Sequence, residues 1–208
     1  MSKLQKMQQI QNSIVSCTKC GLCVTAKSAV VGEGSLDAQI VFVGEAPGAS
    51  EDEVGRPFVG RAGKLLDGLI NEIGYKREDV WIGNIIKHRP PDNRDPLPEE
   101  ISACSPFLAA QLEIINPKLI VTLGRFAMSF FYPSGKISKH HGVLIKNPKF
   151  NVFPVYHPAA ALRNSGFANA LREDFHKIPK VLASIADNTD NSIEPRINSE
   201  DSPINLEI

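Results

Sequence analysis

The sequence predicts an α/β protein: a three-layer αβα sandwich with a central, mostly parallel four-stranded sheet. Two observations predict this class. Short apolar runs alternate along the chain with longer segments of helical pattern, and strands separated by helices usually pair in parallel, with helices covering both faces. The chain has 208 residues, of which 42% are hydrophobic, a size and composition that suit one substantial core.

The predicted elements follow one another in strand–helix order. The four strands are predicted over Ile40–Gly44, Val80–Ile86, Leu119–Gly124 and Val152–Tyr156. The helices are predicted over Lys3–Ser16, Ala62–Ile73, Pro98–Ile115, Arg125–Phe131 and Asn169–Leu182. Prolines and glutamates at the start of the segment from Pro98 are typical of a helix N-terminus.

Charge divides the chain into two parts. The 23 basic and 23 acidic residues cancel, but six acidic residues and one basic residue lie after Leu182. Residues 1–182 therefore hold 22 basic and 17 acidic residues, a moderately basic body that favours a nucleic-acid partner. We predict one folded domain over residues 1–182. The acidic segment 183–208, rich in polar residues and without periodicity, is predicted to be a disordered tail.

The sequence also indicates where the protein works. Met1–Asn12 lacks the apolar core of a secretory signal, and no apolar run is long enough to span a membrane. We therefore expect a cytoplasmic protein without a membrane partner, acting as a monomer. In such a compartment, clustered cysteines hold metal more often than they form disulfides.

Three unusual segments follow three of the predicted strands. They are Gly44–Gly48, Asn84–Asp95 and His157–Asn164. Because the carboxyl ends of parallel strands meet at one edge of the sheet, and ligands of such sheets bind there, we expect all three segments to face one cleft. The basic, proline-rich middle segment could follow a DNA backbone.

These segments resemble the motif blocks of a known family. The stretch GEAPGASEDEVGRPFVGRAGKLLD resembles the first block of the iron–sulfur (family four) uracil-DNA glycosylases. NIIKHRPPDNRDPLPEEISAC resembles their second block, and HPAAALRN resembles their last. The resemblance runs from Cys17 to Leu182. It implies an enzyme of base excision repair that hydrolyses the N-glycosidic bond of uracil in single- or double-stranded DNA, leaving an abasic site.

The resemblance also assigns roles in a uracil pocket. His157 would donate a hydrogen bond to uracil O2, and the backbone N–H groups of the Gly44–Gly48 turn would add to that stabilisation. Asn84 would pair with the uracil edge. Glu51 would crowd the C5 position and exclude the methyl group of thymine, and Phe58 would stack on the base.

Water and DNA would be handled by neighbouring residues. Many uracil-DNA glycosylases outside this family place a water-handling aspartate where this chain has Ala46, so Glu45 is the candidate for ordering the water. The loop after His157 pushes an apolar residue into the duplex in these enzymes. The predicted DNA contacts are Leu162, Arg163, Lys87 and Arg89.

Four cysteines hold a [4Fe–4S] cluster in the family, and this chain departs from that pattern. Cys17, Cys20 and Cys104 match, but His88 stands where the third family cysteine is expected, separated from Cys104 by residues 89–103. Either His88 is the fourth ligand, since imidazole can replace thiolate at cluster iron, or Cys23 takes that place. A zinc ion on three cysteines and a histidine, or no metal at all, are further alternatives.

Two other functions are alternatives to excision. An iron–sulfur electron carrier would explain the close spacing of Cys17, Cys20 and Cys23, but it has no need for Asn84 and His157 at strand ends. A uracil-DNA binding protein without turnover would resemble relatives that carry an inserted basic loop after the second strand. The sequence contains no such insertion.

Overall fold

Six strands form one sheet in the structure, a computed structural model that describes residues 1–146 and 149–187. They are β1 (Glu33–Gly34), β2 (Ile40–Gly44), β3 (Trp81–Asn84), β4 (Leu119–Leu123), β5 (Ile145–Lys146) and β6 (Asn151–Val155). Their order across the sheet is β1-β3-β2-β4-β6-β5. The four inner strands are parallel, and β1 and β5 pair antiparallel at the two edges.

The four predicted strands are therefore confirmed as the parallel centre of the sheet, but the predicted total of four is too small. The two extra strands, β1 and β5, have only two residues each. A two-residue strand is too short to show the alternation by which strands are recognised in a sequence.

Nine α-helices are formed by the described residues. They are α1 (Lys3–Val15), α2 (Leu22–Thr25), α3 (Ala49–Val54), α4 (Arg61–Glu72), α5 (Pro98–Ile115), α6 (Arg125–Phe131), α7 (Ile137–His140), α8 (Pro158–Ala161) and α9 (Ser165–Asp187). All five predicted helices are present. Helix α9 is longer than predicted at both ends, and residues 188–208 of the predicted tail lie outside the described residues. Residues 183–187 of the predicted tail are helical and Ile185 packs in the core, so the predicted boundary was wrong. The disorder of residues 188–208 stays a prediction.

The sheet is covered on both faces, as the sandwich prediction requires. Ile40 and Phe42 of β2 pack towards α4 and α9, where the Phe42 and Phe175 rings stack with centroids 5.6 Å apart. Val41 and Val43 of the same strand belong to a second core on the opposite face, together with residues of α1 and α5. The two cores alternate along β2 because successive side chains of a strand point to opposite faces of the sheet.

The strand register brings the predicted loops together. Gly44, the last residue of β2, lies opposite Asn84, the last residue of β3. At the end of β4, the Gly124 N–H donates to the carbonyl of Val155 at the end of β6. The carboxyl ends of the four parallel strands thus share one edge of the sheet. No helix in the part of the chain that the structure describes is long and apolar enough to cross a membrane.

Candidate active site

A cleft of about 540 Å³ lies at the carboxyl edge of the sheet. All three segments that follow the strands contribute to its walls: residues 45–48 from the first, Asn84 and Arg94 from the second, and His157 and Leu162 from the third. Phe58, from the loop before α4, closes one side. The residues that the motif blocks place in one pocket are therefore neighbours in space.

Gly44 lies between Phe58 and Asn84 at the floor of the cleft. A Cβ atom on Gly44 would lie 2.4 Å from Asn84 Oδ1 and 2.7 Å from Phe58 Cζ, so only glycine fits. Asn84 is 1% exposed, and its Oδ1 is buried without a hydrogen-bond partner among the described residues. A buried amide oxygen without a partner is costly unless a ligand supplies the missing donor, so Asn84 is a candidate for binding one.

His157 is held as a hydrogen-bond donor. It precedes α8, and its Nδ1 accepts from the Ala159 N–H at 3.0 Å. Burial lowers the pKa of His157 to about 4, although the carboxylate of Glu51 opposes that shift. The ring is therefore neutral at neutral pH, and since Nδ1 accepts, the proton sits on Nε2.

Glu51 holds two loops of the cleft together. Its Oε1 accepts from the N–H groups of Val59 and Gly60, each at 2.9 Å, and its Oε2 accepts from the Gly48 N–H at 3.2 Å. The carboxylate that was predicted to crowd a substrate thus also ties the loop of Phe58 to the turn after β2, a task that the motif did not reveal.

Glu45 has an unusual carboxyl group. Burial raises the pKa of Glu45 to about 7; the carboxylate of Asp95 acts in the same direction, and the Arg125 guanidinium opposes it. Asp95 and Arg125 are paired at 2.8 Å. A carboxyl group with a pKa near neutrality can change its charge in the pH range where enzymes work.

A second, smaller cavity lies beside the first helix. It is lined by Cys17, Cys20, Cys23, Cys104 and His88, and all four cysteines are free thiols. Backbone N–H groups point at two of the sulfurs, from Lys87 to Cys104 Sγ at 3.2 Å and from Lys19 to Cys17 Sγ at 3.5 Å. We call this site the cysteine cavity.

The donors of the cysteine cavity surround a space and do not meet at one point. Among the described residues, no three His, Cys, Asp or Glu side chains are grouped so that they could hold a metal ion. The Cys23 thiol donates to the carbonyl of Cys20 at 3.2 Å, whereas the His88 ring makes no hydrogen bond to a described residue. A polynuclear cluster is larger than one ion and is held by ligands spread around it.

Comparison with known proteins identifies the fold family. The family model described as the Uracil DNA glycosylase superfamily matches residues 31–178. This chain belongs to the uracil DNA glycosylase superfamily. It is 47% identical over 198 residues to a type-4 uracil-DNA glycosylase of Saccharolobus solfataricus, covering 90% of this chain and 92% of that protein. A type-4 uracil-DNA glycosylase of Thermotoga maritima is 50% identical over 187 residues, covering 85% and 94%.

A more distant relative shows the breadth of the superfamily. A type-5 uracil-DNA glycosylase of Pyrobaculum aerophilum is 29% identical over 189 residues, covering 74% of this chain and 83% of that protein. The chain spans most of the length of these superfamily members.

The prediction that Lys87 contacts DNA is wrong. The Lys87 side chain is completely buried, and its Nζ donates to the Asn84 carbonyl and to Gln111 Oε1, each at 2.8 Å. Burial lowers the pKa of Lys87 to about 8, with the Cys104 thiol opposing the shift. A buried ammonium needs such partners because it has lost its water, so Lys87 supports the strand end from behind the cleft.

The other predicted DNA contacts lie near the surface. Leu162 is 48% exposed at the mouth of the cleft, beside an exposed Arg163. Arg89 is half-buried, and its Nε donates to Asn93 Oδ1 at 2.8 Å. Arg61 also lies at the mouth, exposed and without an ion-pair partner among the described residues, although it was not among the predicted contacts. The sequence signal for Arg61 was its position as a basic residue that begins a helix after a glycine-rich turn.

Sequence reasoning also missed Gly124. It has φ +90, and a Cβ atom there would lie 2.9 Å from the Cβ of His157. Gly124 therefore lets the His157 segment lie close against the end of β4. A glycine at the end of a predicted strand, at the cleft edge of the sheet, was the signal that could have found it.

Replacing Gly44 with alanine tests the pocket floor. We expect activity to fall by about ten- to a hundredfold, because the new methyl group displaces the Asn84 amide and the Phe58 ring by overpacking. Gly44 has no left-handed φ, so alanine adds no backbone strain. As a control, Gly68→Ala adds a methyl group where no atom lies within 4 Å. Equal activity of the Gly44→Ala variant and the parent would show that the base does not bind against this floor.

Proposed function

We propose that this protein hydrolyses the N-glycosidic bond of uracil in DNA and leaves an abasic site. One observation carries the proposal: a neutral His157 with its proton on Nε2 shares a cleft with the buried Asn84 amide, whose Oδ1 has no partner among the described residues. One group can donate to a developing anion, and the other can read a base edge. The type-4 uracil-DNA glycosylases of similar sequence support the assignment.

The reaction creates charge on the leaving group. As the bond to the sugar breaks, the base becomes a uracil anion and the sugar becomes oxocarbenium-like. The His157 Nε2–H would donate to O2 of the anion, and backbone N–H groups in the turn after β2 would add to its stabilisation. Such preorganised donors each contribute about 3 kcal/mol when they face the charge that develops. The ring is already neutral, so no proton must be lost before it donates.

Base choice would rest on Asn84. Its Oδ1 would accept from uracil N3–H, and its Nδ2 would donate to O4. Cytosine presents the opposite pattern at this edge, so it would leave buried polar groups unpaired and be rejected. Phe58 would stack on the base, and Glu51, held by Val59 and Gly60, would form a wall towards C5 that leaves no room for a methyl group.

The target nucleotide must leave the base stack before it can reach Asn84. Leu162, exposed at the mouth of the cleft, would fill the space that the base leaves. Arg61, Arg163 and Arg89 would contact phosphates around it. We further propose that the protein acts on DNA as a monomer in the cytoplasm.

Glu45 would order the attacking water, and this role makes activity depend on pH. The carboxylate form is needed, so we expect the rate to rise with pH through the Glu45 pKa of about 7. His157 titrates near 4 and should add no fall in that range. A pH profile of single-turnover rates would check this, with Glu45→Gln as the comparison. A parent profile that is flat between pH 6 and 8 would remove Glu45 from this role.

We propose that the cysteine cavity holds a structural [4Fe–4S] cluster, a group that suits its thiol-rich lining. Cys17, Cys20 and Cys104 would hold it, with His88 as the fourth ligand. His88 is preferred to Cys23 because its ring is buried at the cavity without a hydrogen bond to a described residue, whereas the Cys23 thiol already donates to Cys20. A cluster here would cross-link the segment after α1 to α5 and to the loop that follows β3.

Iron content decides between the two ligands. We expect Cys23→Ala to keep a full complement of iron and sulfide. His88→Ala should lose cluster and thermal stability together, and His88→Cys should be at least as stable as the parent, because it restores a thiolate. Absorbance spectra and iron analysis of anaerobically purified variants would measure this. Loss of iron in Cys23→Ala with retention in His88→Ala would assign the ligand to Cys23.

An incision assay tests the proposed function. A labelled oligonucleotide with one uracil would be treated with protein and chelator, then with hot alkali, which breaks the strand at an abasic site. We expect a break at the uracil. An electron carrier would give no break and no retained DNA, whereas a binding protein without turnover would retain the DNA uncut.

A further inference from the structure

The loop that carries Phe58, residues 57–60, has an unusual backbone. Phe58 has φ +50, a left-handed conformation that residues other than glycine rarely adopt. The Phe58 side chain is 6% exposed, and its ring lies 5.9 Å from that of His157. A strained residue persists only where its surroundings hold it, and such residues gather at functional sites.

Two charged side chains hold this loop from opposite sides. Glu51 accepts from the N–H groups of Val59 and Gly60. Arg77 takes the carbonyl groups: its Nη1 donates to Phe58 O at 3.3 Å, and its Nη2 donates to Pro57 O. The four consecutive residues of the loop are thus each bound through the main chain by a charged group.

Arg77 is itself anchored. Its Nε donates to Glu33 Oε1 at 2.9 Å, and its Nη1 donates to Asp67 Oδ1 at 2.6 Å. The side chain is 22% exposed and does not line the cleft. A planar guanidinium can satisfy two carboxylates and two carbonyls at once because its donors are arranged in a rigid fork. The positions of the two carboxylates thereby determine where the two loop carbonyls lie.

The loop packs closely against α4. A Cβ atom on Gly63 would lie 1.8 Å from Phe58 O, so the carbonyl that Arg77 binds rests directly on the first turns of α4. Without Arg77, the carbonyls of Pro57 and Phe58 would lose their charged donor. The left-handed Phe58 could then relax and rotate its ring away from the turn after β2.

We propose that Arg77 is a positioning residue for the proposed reaction: it holds Phe58 in its left-handed conformation, so that the ring is in place to stack on the extruded base. The inference rests on the proposed function, because it assigns the stacking role to Phe58. It adds a residue outside the cleft, which acts only through the backbone of residues 57–60.

Arg56 provides a matched control. It pairs with the same Glu33, through Nε at 2.7 Å, but it donates to no carbonyl of the loop. Arg77→Gln and Arg56→Gln each remove one arginine from Glu33, yet only the first releases Phe58. Arg77→Lys keeps the positive charge beside Asp67 but lacks the forked donors of the guanidinium. It replaces Arg77→Gln as the test variant if Arg77→Gln does not fold.

The test measures inhibition by free uracil and kcat/KM, at a temperature where thermal melts show every variant folded. We expect Arg77→Gln to weaken uracil inhibition and to lower kcat/KM by about tenfold, the equivalent of one lost base–aromatic stack. Arg56→Gln should stay within about twofold of the parent, since exposed ion pairs contribute little. In a Phe58→Ala background, Arg77→Gln should add no more than about twofold, because the ring it positions is already absent.

Three outcomes would overturn or redirect the conclusion. Equal activity of Arg77→Gln and Arg56→Gln would overturn the positioning role. So would a tenfold effect of Arg77→Gln that persists undiminished in the Phe58→Ala background, since Arg77 would then act by another route. A parent protein that releases no uracil would contradict the proposed function itself, which is a different result from either of these.

Discussion

Replacing His157 with alanine should slow uracil release by about a hundred- to a thousandfold, the loss expected for one preorganised donor to a developing oxyanion. DNA affinity should change far less, because the hydrogen bond strengthens only as charge appears on the base. The structure gives the physical basis: the Ala159 N–H fixes the tautomer, and burial keeps the ring neutral.

The measurement separates binding from chemistry. Single-turnover rates would give the chemical step, and titration of a non-cleavable uracil analogue in DNA would give affinity. His176→Ala is the control, because that histidine lies on the surface beside Glu72. If His157→Ala lost as much in affinity as in rate, the imidazole would position the DNA and would not stabilise the leaving group.

Replacing Asn84 with aspartate should change which base is removed. The carboxylate places an acceptor opposite the cytosine amino group and cannot donate to uracil O4. We expect uracil removal to fall by about a hundredfold or more and a low activity on cytosine to appear, because hydrogen-bonded sites discriminate strongly against unpaired groups. Asn84 is buried at the end of β3, so water cannot substitute for the missing partner.

Parallel assays on uracil and cytosine oligonucleotides would measure this change in preference. Asn12→Asp, the same replacement on the exposed face of α1, should leave both activities as in the parent. Full uracil activity in Asn84→Asp would mean that Asn84 does not read the base edge and that another group of the cleft selects uracil.

The centre of the fold could be predicted because its signals are local. Each inner strand is a short apolar run, and the run from Ile40 to Gly44 matches β2 residue for residue. The edge strands are defined only by their pairing partners, Ile82 for Glu33 of β1 and Val152 for Ile145 of β5. Pairing of that kind leaves no pattern in two residues, so β1 and β5 could not be predicted.

The candidate site, like the fold, could be predicted only in part. The strand register puts Gly44 beside Asn84, so parallel strands and their loops were enough to predict one cleft. Lys87 was misassigned because the sequence shows that the residue is charged but does not show which way its side chain points. Whether that ammonium faces DNA or the interior depends on Gln111, a partner on α5 that the sequence does not connect with it.

Backbone conformation accounts for the other features of the site that could not be predicted from the sequence. The left-handed Phe58 and the two charged side chains that hold its loop depend on the way α3, α4 and the turn at Arg77–Asp79 pack together. Glu51 reads in the motif as a substrate contact, yet its carboxylate accepts three backbone N–H groups. Only the three-dimensional structure shows that Glu51 holds these loops together.

Release of free uracil under multiple turnover tests the central claim most directly. Protein would be incubated in chelator with a large excess of uracil-containing DNA, and free uracil and abasic sites would be counted by mass spectrometry. We expect uracil to accumulate in molar excess over protein and in equal number to abasic sites, with no thymine or cytosine released. Absence of free uracil, or a yield that stops at one per protein molecule, would contradict the assignment of this cleft as the site of uracil excision.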